Sequence, residues 1–141
     1  MEAGHGCMEK GILLEYREIF LLLESIGAES VNGICLDQKP VSDEEAVRVL
    51  ADMNRKGFLE NEGGVFRIEK RTGRMLQCMA WPEQDYPMVI EDETYYCYER
   101  GREVLVTSLC RTRQRTLELL LFGREEFERW KEEMRDDTCG Y

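Results

Sequence analysis

The sequence is short of the residues from which most catalytic and metal sites are built. It has 1 histidine, His5, and its 6 cysteines (Cys7, Cys35, Cys78, Cys97, Cys110 and Cys139) include no Cys-x-x-Cys pair. Structural zinc needs closely spaced Cys or His pairs to preorganise half of its tetrahedron, so no metal is expected. Ser-His-Asp and Cys-His arrangements fail for want of a histidine in the body of the chain, and neither G-x-G-x-x-G nor a P-loop occurs. No enzymatic activity and no cofactor are therefore expected. Long apolar runs are also missing. Ile12 to Ile26 is rich in Leu and Ile, but Glu15, Arg17 and Glu18 interrupt it before it reaches the ~18 residues that a spanning helix needs. The expectation is a cytoplasmic protein with reduced thiols, no export signal and no membrane partner.

What is present is a foldable, acidic chain. Of its 141 residues 43% are hydrophobic, enough to bury a core, and the 34% that are charged are mixed along the chain instead of blocked. The formal net charge of -10 repels phosphate backbones and anionic lipids at long range, which makes nucleic acid a disfavoured partner. A local basic patch can still act within a Debye length of about 8 Å.

The clearest local signal lies between Pro40 and Leu59. Ser42 and Glu45 form a capping box, Asp43 and Glu44 favour the positive end of a helix, and Ala46, Val47, Val49, Leu50 and Met53 recur at helical spacing. Arg55 and Lys56 suit the negative end, and Gly57 can take the left-handed position that stops the helix. Phe58 to Glu60 and Val65 to Ile68 flank a Gly63-Gly64 turn and predict a β-hairpin. Upstream, Ile12 to Ile26 reads as one buried helix ending at Gly27. Helix, connection, helix and hairpin is the order of a winged-helix unit. A short helix from Arg74 to Ala80 follows, closed by Trp81-Pro82.

From Tyr86 onward the character changes. Met88 to Ile90, Thr94 to Glu99, Glu103 to Leu109 and Arg115 to Phe122 are apolar or alternating runs separated by short turns, the pattern of an antiparallel meander. Arg124 to Arg135 places Phe127, Trp130 and Met134 on one helical stripe that can cover one sheet face. The expected fold is thus α+β: a winged-helix-like unit over 1–82, then an antiparallel meander with a C-terminal helix over 83–141, packed as one compact body.

Two sets of residues are candidates for binding. The first is the strand tyrosines Tyr95, Tyr96 and Tyr98 together with Arg111, Arg113 and Arg115, which join Arg100 and Arg102 as the one basic concentration. Tyrosine supplies contact area at low entropic cost, and guanidinium forks bind carboxylates in a bidentate way, so this set suits a protein partner. The second is Arg48, Arg55, Lys56 and Arg67, which would touch DNA if the helix and wing worked as in DNA-binding winged helices. Asp43, Glu44, Glu45, Glu60 and Glu62 stand among them and carry the wrong sign for phosphate.

Glu45 to Leu50, the Gly57-Phe58-Leu59 step, Met75-Leu76 and the Ala80-Trp81-Pro82 closure, followed by strands and a terminal helix, resemble one half of the EspG-type proteins of ESX (type VII) secretion. The resemblance spans about half of the chain, which is itself about half as long as those proteins. It implies a cytosolic adaptor that binds secreted helical substrates through a sheet and its adjoining helices, and it transfers no individual binding residue. The function expected from the sequence is therefore a non-catalytic protein-binding module, adaptor or chaperone-like. The alternative is a winged-helix protein that binds DNA or senses a ligand. Alternation along Thr94 to Glu99 and Glu103 to Leu109 puts apolar side chains on both sheet faces. The C-terminal helix covers only one of them, so the other is expected to form a homodimer, to dock a partner, or to be covered by the N-terminal unit.

Overall fold

The computed structural model describes residues 11–28, 31–33 and 42–139, with side chains as far as Met134. His5, Cys7, Cys35 and Pro40 lie outside the described residues. The chain folds as an α+β protein with elements in the order β1 (Gly11–Glu15), α1 (Tyr16–Ser25), α2 (Asp43–Lys56), β2 (Leu59–Glu62), β3 (Val65–Ile68) and α3 (Lys70–Ala80), continuing through β4 (Gln84–Ile90), β5 (Glu93–Arg100), β6 (Glu103–Leu109), β7 (Thr116–Gly123) and α4 (Arg124–Cys139).

The α2 helix is built as its sequence dictates. Ser42 Oγ accepts the Glu45 N–H at 3.2 Å, and Gly57 closes the helix in the left-handed region at φ 89°. Its buried face is narrower than the apolar pattern suggests: Val49 and Met53 are buried, while Val47 is 66% exposed. The β2–β3 hairpin turns on Gly63 and Gly64, whose φ values of 60° and 87° are those of a type I′ turn. In α3 the first turn starts earlier than Arg74, because Glu69 caps it by accepting from the Arg71 and Thr72 N–H groups at 2.8 and 3.0 Å. Gly73 in that turn weakens the helical pattern when it is read by residue type alone.

The expectation of one helix from Ile12 to Ile26 is corrected. Gly11–Glu15 is a strand, antiparallel to β7 from Gly11↔Leu120 to Glu15↔Thr116, and only Tyr16–Ser25 is helical. Two causes combine. The β7 edge would otherwise leave a row of unpaired backbone groups, and the Glu15 N–H donates to Glu18 Oε1 at 2.9 Å, which starts the helix at Tyr16. The sheet therefore has five strands in the order β1-β7-β6-β5-β4, all antiparallel.

Each face of this sheet has its own cover. Tyr98, Leu105, Leu117, Leu119, Leu121 and Leu14 pack with Ile19, Leu22, Met53, Met75, Leu76 and Met79 from the helices α1 to α3. On the opposite face Cys97, Val104, Val106 and Phe122 meet Phe127 and Trp130 of α4. The Phe127 and Trp130 rings stack at 6.1 Å, and Phe122 lies 5.3 Å from Trp130, so the predicted stripe of α4 is the one that packs.

One buried ion pair fixes α1 on α2. Glu18 is 2% exposed, and Lys56 Nζ donates to its Oε2 at 2.7 Å. Arg17 reaches Glu45, near the other end of α2, at 3.2 Å. Removing the Lys56 ammonium leaves a buried carboxylate short of its charge partner. Roughly 3–5 kcal/mol is typical where both partners are buried. The Lys56 side chain is 35% exposed, so water can partly replace it and Lys56→Ala should cost about 2 kcal/mol. Ser42→Ala, which removes only an exposed cap, should cost about 1 kcal/mol. Urea unfolding of both variants checks the order; equal costs would show that the Glu18 pair contributes no more than a surface contact.

Candidate functional site

Two-residue hairpins determine which backbone groups each strand presents to its neighbours. The β4–β5 hairpin closes with Ile90↔Glu93 around Glu91 and Asp92, and the β5–β6 hairpin closes with Arg100↔Glu103 around Gly101 and Arg102. Closing pairs of such hairpins exchange both hydrogen bonds, and the pattern then alternates along the ladder. Counted this way, Tyr96 and Thr107 face each other as a bonded pair, and Thr94 and Leu109 would be the next. They do not pair: the β5–β6 register ends at Tyr96↔Thr107, although β5 continues to Glu93 beside β4 and β6 to Leu109 beside β7. The sheet splits at this end, and the N–H and C=O groups of Thr94 and Leu109 point into the opening. The same alternation turns the nitrogen of Pro87, which has no N–H, to the outer edge of β4, where no ladder bond is lost.

A cleft of about 480 Å³ lies over the split on the face that the helices α1 to α3 cover elsewhere, lined by Tyr16, Tyr95, Tyr96, Thr107, Leu109 and Leu117 among others. Leu109 is 66% exposed at its mouth. A second depression of about 510 Å³ occupies the opposite face and shares Glu93, Tyr95, Ser108, Leu109 and Arg111 with the first. Arg111 and Glu93 form an ion pair across the end of the split.

The tyrosine and arginine candidates fare differently. Tyr98 is fully buried and its hydroxyl donates to the Asn32 carbonyl at 2.7 Å, so it belongs to the core and is out of a partner's reach. Tyr96 is half-buried in the cleft wall; its hydroxyl donates to Asp85 Oδ1 at 2.5 Å, and that hydrogen bond, with some burial, raises its pKa. Asp85 also accepts from Asn32 Nδ2 at 3.2 Å, and Gly33, at φ 79°, lies flat on the Tyr96 ring. Tyr95 points to the other face, edge-on to Trp130 at 5.5 Å. Arg111 borders the cleft, and the Arg115 guanidinium sits 5.1 Å over the ring of Tyr16. Arg113 is exposed on the Cys110–Arg115 turn and lines neither depression. Tyr16, Leu109 and Asp85 were not singled out from the sequence. Tyr16 was placed inside a helix, and the exposure of Leu109 follows from a split that no residue type announces.

Three of the four DNA candidates stand beside carboxylates. Arg55 pairs with Asp52, Lys56 with Glu18, and Arg67 with Glu62 at 4.0 Å, while Arg48 is exposed on α2. Among the described residues no three His, Cys, Asp or Glu side chains converge as a metal site, and no helix is long and apolar enough to cross a membrane.

A buried carboxylate at the far end of the sheet resembles a catalytic acid in composition but not in state. Glu99 accepts from Gln84 Nε2 at 2.7 Å, Tyr86 Oη at 2.6 Å and Arg124 Nη1 at 2.8 Å. Burial pushes its pKa up, but the three donors outweigh burial and hold the carboxyl below the ordinary range. It is therefore ionised near neutrality and ties β4, β5 and the start of α4 together. No family model matches the chain, and no curated protein matches it either.

Two predictions come from these arrangements. A carboxyl with a depressed folded-state pKa contributes stability that is present above its unfolded value and is lost as the pH falls through the folded one. Unfolding stability should therefore drop as the pH falls below about 4.5, and Glu99→Gln should flatten part of that drop while costing about 2 kcal/mol at neutral pH. Urea titrations of both proteins across this range measure the difference; parallel curves would remove Glu99 from the account. Gly33→Ala puts a methyl group into the Tyr96 ring at a positive φ and should cost about 1–3 kcal/mol. A Tyr96→Ala background should recover part of that cost.

Proposed function

We propose that this chain is a cytoplasmic, non-catalytic protein-binding module, adaptor or chaperone-like, that takes its partner at the split end of the sheet. The observation that carries the reading is the coincidence, in one place, of unpaired strand backbone, an aromatic and leucine-lined cleft, and arginines. Backbone edges supply affinity for another chain, an apolar cleft supplies an anchor pocket, and the charged rim supplies register. The adaptor role implied by the resemblance to EspG-type proteins is part of this proposal. So is a homodimer, in which the partner is a second copy.

The winged-helix reading, with DNA contacted by Arg48, Arg55, Lys56 and Arg67, is weakened by the carboxylates that hold three of these four cations. Binding by counterion release requires cations that face phosphate. A small ligand is the stronger of the alternatives, because a cleft of about 480 Å³ falls in the range that such molecules occupy.

A photo-crosslinking residue placed at position 109, with position 47 as an equally exposed control, tests the proposal in the native cell. Position 109 should capture a protein, or a second copy of the chain, and position 47 should not. Capture at neither position, with a small molecule raising the melting temperature of the purified protein, would replace the protein-binding reading by ligand sensing.

A further inference from the structure

The end of the sheet at which β5 and β6 part carries both signs of charge, sorted onto two neighbouring turns. In the strand order β1-β7-β6-β5-β4 the β4–β5 turn lies on one side of the split and the β6–β7 turn on the other. The first reads Glu91-Asp92-Glu93 without a cation, and the second Arg111-Thr112-Arg113-Gln114-Arg115 without a carboxylate. Arg111 and Glu93 are paired across the opening. Among the described residues Glu91, Asp92 and Arg113 enter no ion pair, and all three are exposed. Glu118 stands at the same end but on the face opposite to Leu117 and Leu119.

Backbone conformation marks the same two turns. Glu91, Asp92 and Arg115, at φ 53°, 66° and 52°, are the non-glycine residues with positive φ among those described, whereas the other hairpin turns place Gly63, Gly64 and Gly101 at such positions. Charged residues are thus kept where glycine would relieve strain, and Glu91 and Asp92 bear it with no ion pair to offset it. Between the turns lies an apolar centre. Val89 faces Thr94 in the β4–β5 register, and Tyr96 and Leu109 share that side of the sheet by alternation. Val89 and Leu109 are both 66% exposed, and the cleft beneath them is lined by Tyr16, Tyr96 and Leu117.

We infer that this end of the sheet is the interface of an isologous homodimer, in which a two-fold axis through the split sets the acidic turn of each copy on the basic turn of the other. The inference rests on the protein-binding reading above and names the partner. Charge selects a second copy. A uniformly acidic or uniformly basic partner is attracted by one turn and repelled by the other, whereas a copy rotated by the two-fold presents the opposite sign to both. The apolar centre then closes on its own image, Val89 and Leu109 of one copy against those of the other, with the charged turns as its rim. The net charge of -10 on each copy opposes approach, but charges separated by more than a Debye length of about 8 Å are largely screened, so the short contacts across the axis outweigh it.

Two-fold symmetry gives the inference a test that a merely sticky cleft would not pass. Analytical ultracentrifugation of the purified chain from about 1 to about 300 μM should show a monomer–dimer equilibrium. Arg113→Glu and Asp92→Arg should each raise the dissociation constant about tenfold or more, because an isologous interface contains every contact twice. Mixed in equal amounts, the two variants should associate again, since each then meets the opposite sign at both turns. Leu109→Glu should dissociate the dimer, and neither charge variant should restore it. Asp92, Leu109 and Arg113 are exposed, so the melting temperatures of these variants, measured where the wild type is monomeric, should match that of the wild type, and reassociation on mixing is a second sign that the charge variants are folded. A chain that stays monomeric over this range, a dimer that both charge reversals leave intact, or variants that do not reassociate on mixing would each overturn the inference. The crosslinking at position 109 then decides the reading beneath it: capture of a different protein keeps that reading without the dimer, and capture of nothing removes it as well.

Discussion

The sheet has two apolar faces, and its central strands cannot exclude water until both are covered. Along β7, Leu117, Leu119 and Leu121 project to one side, and Leu120 and Phe122 to the other. Both sets are needed, because a strand buried on one face alone would expose a row of leucines. Most of the remaining architecture answers this requirement. The α4 helix follows β7 directly and folds back on the Phe122 side, and the helices α1 to α3 close the Leu119 side. The strand β1 then seals the β7 edge, and the Glu15 and Glu18 carboxylates turn the chain from that strand into α1 within one residue.

How much of this was legible depends on whether the deciding interaction was local. The α2 helix, the Gly63-Gly64 hairpin, the four meander strands and the α4 stripe are each determined by residues within a dozen positions, so capping boxes, turn glycines and periodicity identify them. The segment Gly11–Glu15 was misread because its Leu and Ile content suits a helix, and only the distant β7 edge makes it a strand. Propensity is a weak prior where a tertiary hydrogen-bonding partner competes with it. Alternation correctly set Tyr96 and Tyr98 on one side of β5 and Tyr95 and Cys97 on the other. Which tyrosine stays reachable depends on where the helices stop: Tyr98 lies beneath them, and Tyr96, two residues nearer the split, is only half-buried.

The distribution of charge follows the same geometry. Carboxylates capture cations wherever elements pack: Glu18 takes Lys56, Glu103 takes Arg74 at 3.2 Å, and Glu99 takes Arg124 at 2.8 Å. These contacts convert much of the basic complement into internal fastening, so the local charge of a segment cannot be read by counting its arginines. Lys56 illustrates the point, since it sits at the end of a helix where a DNA contact was conceivable and instead stabilises a buried glutamate.

The split between β5 and β6 is the place where these fastenings stop. On the paired side of Tyr96↔Thr107, cross-strand contacts are backed by the buried side chains of Cys97, Tyr98, Leu105 and Val106. Beyond it come Tyr95 and Ser108, which are half-buried, and then Thr94 and Leu109, which are exposed. Each unmade backbone bond forgoes about 1 kcal/mol net while water can reach the groups, a modest cost in an open cleft and a large one in a dry core. Because Thr94 and Leu109 are exposed, leaving them unpaired costs little. An occupant that shields these groups from solvent must return hydrogen bonds to Thr94 and Leu109, and this condition separates an extended chain from a ligand that only fills volume.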